Sequence, residues 1–351
     1  MGWIPKKYLK RMKEIIKNAY GDRVVVEELN AGAKDMEKAP TFYDNPRWIK
    51  PFEFVMQLVT PPSYREIDPS PILAIFFPIF FGLMVGDIGY GLVILAFALI
   101  LKNKFKAIQF VRNLADILII SSVPTIIFGF LFGEFFGDFG EIMGWIHPVH
   151  FLGVTWNRLE AIIPMLIFAI ALGVIHIFLG LIVGIVNEVT RKNKKHVSEK
   201  VGMLLALSGL IAIIALGLEM VPAWTLYPTI IMGIAALVLI IYGAGAMGPM
   251  EIMSSVGNIL SYARLMAIGL ASVILAFVAN KLGGEIEVLA VGVLVAVLLH
   301  ALNIVLAMFS PSIHSVRLHL VEFFSKFYTG GGIAYKPFKK EIKRVTEPPP
   351  P

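Results

Sequence analysis

Apolar runs follow one another from Pro71 to about residue 325, parted by short polar blocks: 72–101, about 113–133, 161–187, 201–219, 224–242, 252–280 and 288–325. Roughly 20 apolar residues suffice for one helical crossing of a bilayer, so each run predicts a membrane helix. The first run, 72-ILAIFFPIFFGLMVGDIGYGLVILAFALIL-101, holds 30 residues and suits either one tilted helix or two short ones. Its centre, 86-GDIGYG-91, favours two, because three glycines and an aspartate in six residues suit a turn. Residues before Pro71 are polar and read as water-facing. Positions 6–20 predict a basic amphipathic helix, Val24–Val26 a short strand, and 40–53 a proline-broken linker. That stretch carries too little apolar material for a core of its own.

Charge decides the number of crossings. The block 102-KNKFKAIQFVR-112 has four basic and no acidic residues, and 188–200, 336–344 and the N-terminal segment are also basic. The block 134–160 has four acidic residues and one basic, and 281–287 has two acidic and one basic. The positive-inside rule places the basic blocks in the cytoplasm, which requires 72–101 to cross twice. The expected fold class is therefore all-α: a polytopic membrane protein with eight transmembrane helices and both termini cytoplasmic. Trp145, Trp156, Trp224 and Tyr227 then fall at the outer interface. The expected organisation is a cytoplasmic segment over 1–70, a membrane domain over 71–325 and a cytoplasmic tail over 326–351, its end Pro348–Pro351 without structure.

Composition agrees with this pattern. Of 351 residues, 57% are hydrophobic and 16% charged, against about a quarter charged in soluble domains; mean hydropathy is +0.77. The net charge of +6 is read as topology, with no nucleic-acid partner, although a basic interaction tail is the competing reading. Cysteine is absent, which excludes disulfides and thiolate metal sites. The N-terminus has no apolar signal-peptide core, so the first span is expected to direct insertion. No nucleotide-binding GxxxxGK[ST] loop, HExxH or GxSxG occurs. No cofactor and no metal are expected.

Polar residues inside the runs carry the candidate chemistry, because an ionisable group at the bilayer centre costs about 2.5–3.5 kcal/mol on insertion scales. Arg264 sits near mid-span and cannot deprotonate to escape that cost. Glu251, Ser254, Asn258, Ser261, Arg264 and Ser272 fall within an arc of roughly 140° on one ideal helix. His300, Asn303, Ala307, Ser310, His314 and Arg317 follow spacings of 3, 4, 3, 4, 3, a polar stripe about 25 Å long that suits a water-lined face. Pro311 is expected to kink that helix. Asp87, in the turn between two short spans, is expected to sit in a cavity or pair with a cation. Each has a plainer reading: a structural ion pair for Arg264, packing for His300 and His314, an edge charge for Arg317. His176 reads as a packing residue, and Asp116 and Glu188 as boundary residues.

The stretches 260-LSYARLMAIGLAS-272, 310-SPSIHSVRLHLVEFFSKFYTGGGIAYKPF-338, 70-SPILAIFFPIFFGLMVGDIGYG-91 and 47-RWIKPFEFVMQLVTPPSYREIDP-69 resemble the membrane half of subunit a, called subunit I in archaea, of rotary V/A-type ATPases. The resemblance runs from about 45 to 340 in matching motif order. It implies eight spans, the last two long and tilted against a ring of proteolipid (c/K) subunits. Arg264 matches the arginine that faces the ring carboxylate, and Arg317 its partner on the last span. His314 and His319 match the histidines of the HSxRLH motif, Asp87 the FGDxGxG aspartate, and Glu251 the acidic residue leading into the arginine helix.

Ala307 and Ser272 stand where eukaryotic members place a glutamate and a histidine, which points to an archaeal-like member in the plasma membrane. His300 and Asn303 are candidates for the outer polarity instead. The resemblance implies a stator subunit, itself no enzyme, with two offset half-channels that pass protons or sodium ions to and from the ring. On the expected topology Glu251, Asn258 and Arg317 lie toward the cytoplasm and Asp87, His300 and Asn303 toward the outside, with Ser261 and His314 as further half-channel candidates. The family's cytosolic half, which binds peripheral stalk subunits, precedes the matching region, so the chain is expected to be a truncated form or a split gene product. A secondary transporter binding an anionic substrate at Arg264 is the alternative, and a structural anchor for soluble partners a third reading.

Overall fold

The structure is a computed structural model that describes residues 2–29, 32, 38–151 and 153–337. The expected tail Pro348–Pro351 and most of the basic block 336–344 lie outside the described residues. The chain separates into two compact units, residues 1–44, 60–64 and 330–351, and residues 45–59 and 65–329.

In the first unit, helix α1 spans Lys6–Tyr20, as its periodicity predicts, and ends at Gly21, where φ is 60°. The expected strand over Val24–Val26 does not form. Val24 is extended (φ −128°, ψ 123°), but a strand needs a partner ladder, and none lies beside it among the described residues. The pairing present is a bridge between Thr41 and Ala334, with the Thr41 amide donating to the Ile333 carbonyl at 2.7 Å.

The second unit is a helical assembly. Its helices are α2 (Ser70–Val85), α3 (Ile88–Lys104), α4 (Gln109–Phe132), α5 (Ile162–Thr190), α6 (Lys194–Gly217), α7 (Leu226–Ala244), α8 (Gly248–Leu260), α9 (Ala263–Glu285) and α10 (Leu289–Arg317). Among the described residues, six helical stretches are long and apolar enough to cross a membrane, including Gly248–Glu285 and Leu289–Lys326 at 38 residues each. Helix α2 is apolar but shorter. In hydrocarbon the backbone must satisfy its own hydrogen bonds, which helices do within one segment. Their outward faces stay apolar, with Ile167, Ile231, Leu298 and Phe309 exposed, as suits contact with lipid tails.

Helices α2 and α3 lie along α4, while α6–α7 and α9–α10 form hairpins. A core of Phe80, Met84, Phe132, Tyr262, Leu265 and Leu318 joins α2, α4, α9 and the end of the last span.

Three local features depart from the sequence reading. The end of the stretch expected to be a linker is folded: Lys50–Glu53 forms a helical turn, Val55–Leu58 just beyond it forms another, and together they bury Phe52, Val55 and Met56, while Asn45 bridges Glu53 and Asp68 at 3.0 and 2.7 Å. The run 252–280 is not one helix. Ser261 and Tyr262 keep helical dihedrals but interrupt the i→i+4 bonding between α8 and α9 with i→i+3 bonds, so the ideal 100° step that aligned Glu251 with Arg264 is locally altered there. Finally, α10 passes through Pro311 without ending and widens into a π-turn over Leu318–Phe323, which turns the residues after Arg317 away from the expected stripe.

Candidate functional site

The break in the first run is built by caps. Gly86 ends α2 in the left-handed conformation (φ 46°, ψ 41°), which glycine adopts without steric cost. Asp87 caps α3: Oδ1 accepts from the Tyr90 amide at 2.9 Å and the Phe136 amide at 3.0 Å, and Oδ2 from the Gly137 amide at 2.6 Å. Of the expected cavity or cation partner, a cation is within electrostatic reach, the buried Arg158, but the direct contacts are backbone amides. Three backbone donors satisfy the carboxylate, because a helix N-terminus and the Phe136–Gly137 loop point their amides at one place. Gly129 permits this approach, since a Cβ there would come within 2.4 Å of the Ile88 nitrogen.

From that cap a hydrogen-bonded network reaches α9 and α10. The Tyr90 hydroxyl is 2.9 Å from His300 Nδ1, and Asn303 Nδ2 donates to it at 2.8 Å and to the Ser272 carbonyl at 2.9 Å. His300 Nε2 is 2.9 Å from Asn280 Oδ1. Asn280 Nδ2 donates to the Phe136 carbonyl and to Asp138 Oδ1 at 2.8 and 2.6 Å. With Asn280 Oδ1 as acceptor, His300 carries its proton on Nε2, and Nδ1 accepts from Tyr90. Asp87, His300 and Asn303 are thus brought together, joined by Tyr90 and Asn280.

Beside this network, Arg158 is 2% exposed and Glu134 nearly as buried. Arg158 Nε donates to Glu134 Oε1 at 2.7 Å and Nη2 pairs with Oε2. The same guanidinium donates to the carbonyls of Met84 at 3.1 Å and Val85 at 3.0 Å, the unpaired end of α2. Spacing did not mark this pair.

The centre of the site is Arg264, in the first turn of α9. Its Nη1 lies 3.7 Å from Glu322 Oε1, with side-chain exposures of 22% and 3%. Among the described residues the guanidinium makes no hydrogen bond, and neither Nη1 nor Glu322 Oε2 has a partner. The plainer reading of an own-chain ion pair is therefore present only as a long contact. His314 is within electrostatic reach of both Arg264 and Arg317, as is Glu322, while Arg317 itself is exposed.

A second cluster forms around Glu251. Glu199 on α6 lies within electrostatic reach of it. His196 and Lys200 flank Glu199 at 3.0 and 3.4 Å. Lys326 is buried, and its Nζ donates to Ser255 Oγ on α8 at 2.9 Å. Glu199 sits in a block read only as cytoplasmic charge, and Lys326 at the start of the expected cytoplasmic tail. Asn258 is half-buried on α8, and the Ser261 hydroxyl turns back to the Gly257 carbonyl at 3.0 Å. The contacts bring neither residue into a cluster. No group of three or more metal-ligating side chains occurs among the described residues.

The chain matches the V-type ATPase 116kDa subunit family over residues 1–121 and 251–340. It is 36% identical to A-type ATP synthase subunit I of Archaeoglobus fulgidus, an alignment covering 99% of this chain and 59% of that protein. It is 33% identical to the protein of the same name from Methanocaldococcus jannaschii, over 98% of this chain and 55% of that protein. For that of Methanothermobacter thermautotrophicus the identity is 34%, over 91% and 50%. The chain thus spans between half and three fifths of the length of these relatives.

Proposed function

The chain belongs to the V-type ATPase 116kDa subunit family, and from that premise we propose that it is the stationary ion-path subunit of a rotary ATP synthase or ATPase, itself without catalytic activity. Its partner is a rotating ring of proteolipid subunits that each carry one carboxyl group in the membrane, and the transported ion is a proton or sodium. Peripheral stalk subunits are further partners of the assembly, and an archaeal cell membrane is its location.

In this reading α2 and α3 each cross, giving eight crossings with both termini cytoplasmic. Two 38-residue stretches reach about 57 Å at 1.5 Å per residue, beyond a hydrocarbon core of about 30 Å, so they tilt.

The observation that carries the proposal is Arg264: a permanent cation within an apolar stretch, partly exposed and without a hydrogen bond. A ring carboxyl crossing lipid must be neutral, because burying it ionised is prohibitive. Opposite Arg264 the ionised form is favoured, so the carboxyl releases its ion there and takes another before re-entering lipid. Glu322, 3.7 Å from Arg264, holds the guanidinium in place while the ring carboxyl is elsewhere.

The cluster of Glu251, Glu199 and Lys326 lies on the inner path, and Tyr90, His300, Asn303 and Asn280 on the outer. Arg264 stands about 20 Å along the chain of helices from Glu251 and about 24 Å from Asn280, an offset that separates the two paths. Arg317 and His314 border the same surface on the last span.

Replacing Arg264 with Ala tests this in the assembled complex reconstituted in liposomes. The ring should still co-purify, ATP-driven ion uptake should vanish, and Arg264→Lys should retain only a fraction because lysine can deprotonate when desolvated. Normal uptake by Arg264→Ala would leave the subunit a structural anchor. Substrate flux through the chain without a ring would make it a secondary transporter.

A further inference from the structure

Tyr262 occupies the two-residue turn between α8 and α9, two positions before Arg264. Its ring is fully buried, and its hydroxyl lies 2.7 Å from His176 Nδ1 on α5. Gly173, one turn earlier on α5, leaves room for that ring: a Cβ there would come within 2.5 Å of Tyr262 Cγ. The His176 ring is held in turn, stacked on Phe323 at 4.0 Å and 10° and on Phe76 at 4.5 Å and 26°. Phe323 directly follows Glu322. A single imidazole therefore touches a neighbour of each member of the Arg264–Glu322 pair.

Packing alone does not account for an imidazole here. His176 is fully buried and its Nε2 has no partner among the described residues, a cost that a phenylalanine of similar shape would avoid. The gain that offsets it is the bond to Tyr262. That bond acts where the helical hydrogen bonding shifts register, Tyr262 N–H donating to the Ile259 carbonyl and Arg264 N–H to the Ser261 carbonyl, the place where the direction of α9, and with it the Arg264 side chain, is least determined by the helix's own bonds.

We propose that His176 is a positioning residue for the Arg264–Glu322 pair, fixing one arm through the Tyr262 hydroxyl and the other through the stacked Phe323. The proposal rests on Arg264 being the ion-transfer cation. A guanidinium held by one 3.7 Å contact to Glu322 and no hydrogen bond depends on the backbone on both sides of that contact for its location, and a displacement of about 1 Å at a reacting centre can cost up to about 100-fold.

The test uses the assembled complex with its ring in liposomes and reads ring co-purification, ATP-driven ion uptake and passive ion leak. Tyr262→Phe deletes one oxygen and keeps the ring; assembly should be unchanged, uptake should fall roughly 10-fold and leak should rise. His176→Phe keeps the stack and deletes the acceptor, and should do the same. The double variant should be no worse than either single, because both delete one hydrogen bond.

Unchanged uptake and leak in both single variants overturns the proposal. Additive losses in the double variant overturn it too, and so does failure of Tyr262→Phe to assemble, which would make the bond purely structural. Arg264→Ala separates the two levels. If it abolishes uptake while Tyr262→Phe and His176→Phe leave uptake unchanged, positioning alone is wrong; if it leaves uptake intact, the reading beneath it is wrong.

Discussion

Arg158 is the side chain whose loss the fold would feel most directly. It neutralises Glu134 and caps the last carbonyls of α2 while almost wholly buried. Removing one member of a buried pair leaves an uncompensated charge and costs about 3–5 kcal/mol. Arg158→Ala should therefore lower the detergent-solubilised protein's thermal unfolding midpoint sharply, and Arg158→Ala with Glu134→Ala should recover part of that loss. Nothing in the spacing reveals this pair: its members are 24 residues apart, and the carbonyls lie more than 70 residues upstream. Arg264 was legible for the opposite reason, since a guanidinium inside an apolar run is anomalous in any fold. Tyr90 and Asn280, which join Asp87, His300 and Asn303, were not, because tyrosine and asparagine near span ends are ordinary.

Whole elements are governed by close backbone approach. Helix α4 passes so near the Gly86–Asp87 break that Gly129 has no space for a side chain, and Gly82 of α2 meets the Pro124 backbone in the same way. Gly129→Leu should push α4 away from Asp87 and undo its three amide contacts, seen as loss of folded protein in size-exclusion profiles. A leucine at Gly257, where a Cβ meets nothing, should be tolerated. The glycine-rich break and the amphipathic α1 were legible because turns and helices follow local rules. The turn at Ser261–Tyr262 and the π-turn after Arg317 were not. Both interrupt sequences that read as continuous helix, and both arise where buried side chains (Tyr262 against His176, Phe323 against the same ring) override the 3.6-residue repeat.

For the molecule as a whole, the chain's lack of cysteine makes topology directly measurable. Single cysteines at Lys106, Lys192 and Met247 should react only with reagents added on the cytoplasmic side, and those at Trp145, Met220 and Lys281 only from outside. A cysteine at Lys10 that labels from the side opposite to the one at Lys106 would remove the double crossing of 72–101. A helical membrane protein with an arginine out of place can be read from the residues alone, because hydropathy and charge placement act through the solvent and need no partner residue. Tertiary structure decided which polar groups meet: Glu199 with Glu251, Tyr90 with His300, Arg158 with Glu134, Glu322 with Arg264. Hydrogen bonds and ion pairs act over a few ångströms, and only the packing of helices distant in sequence brings such groups that close.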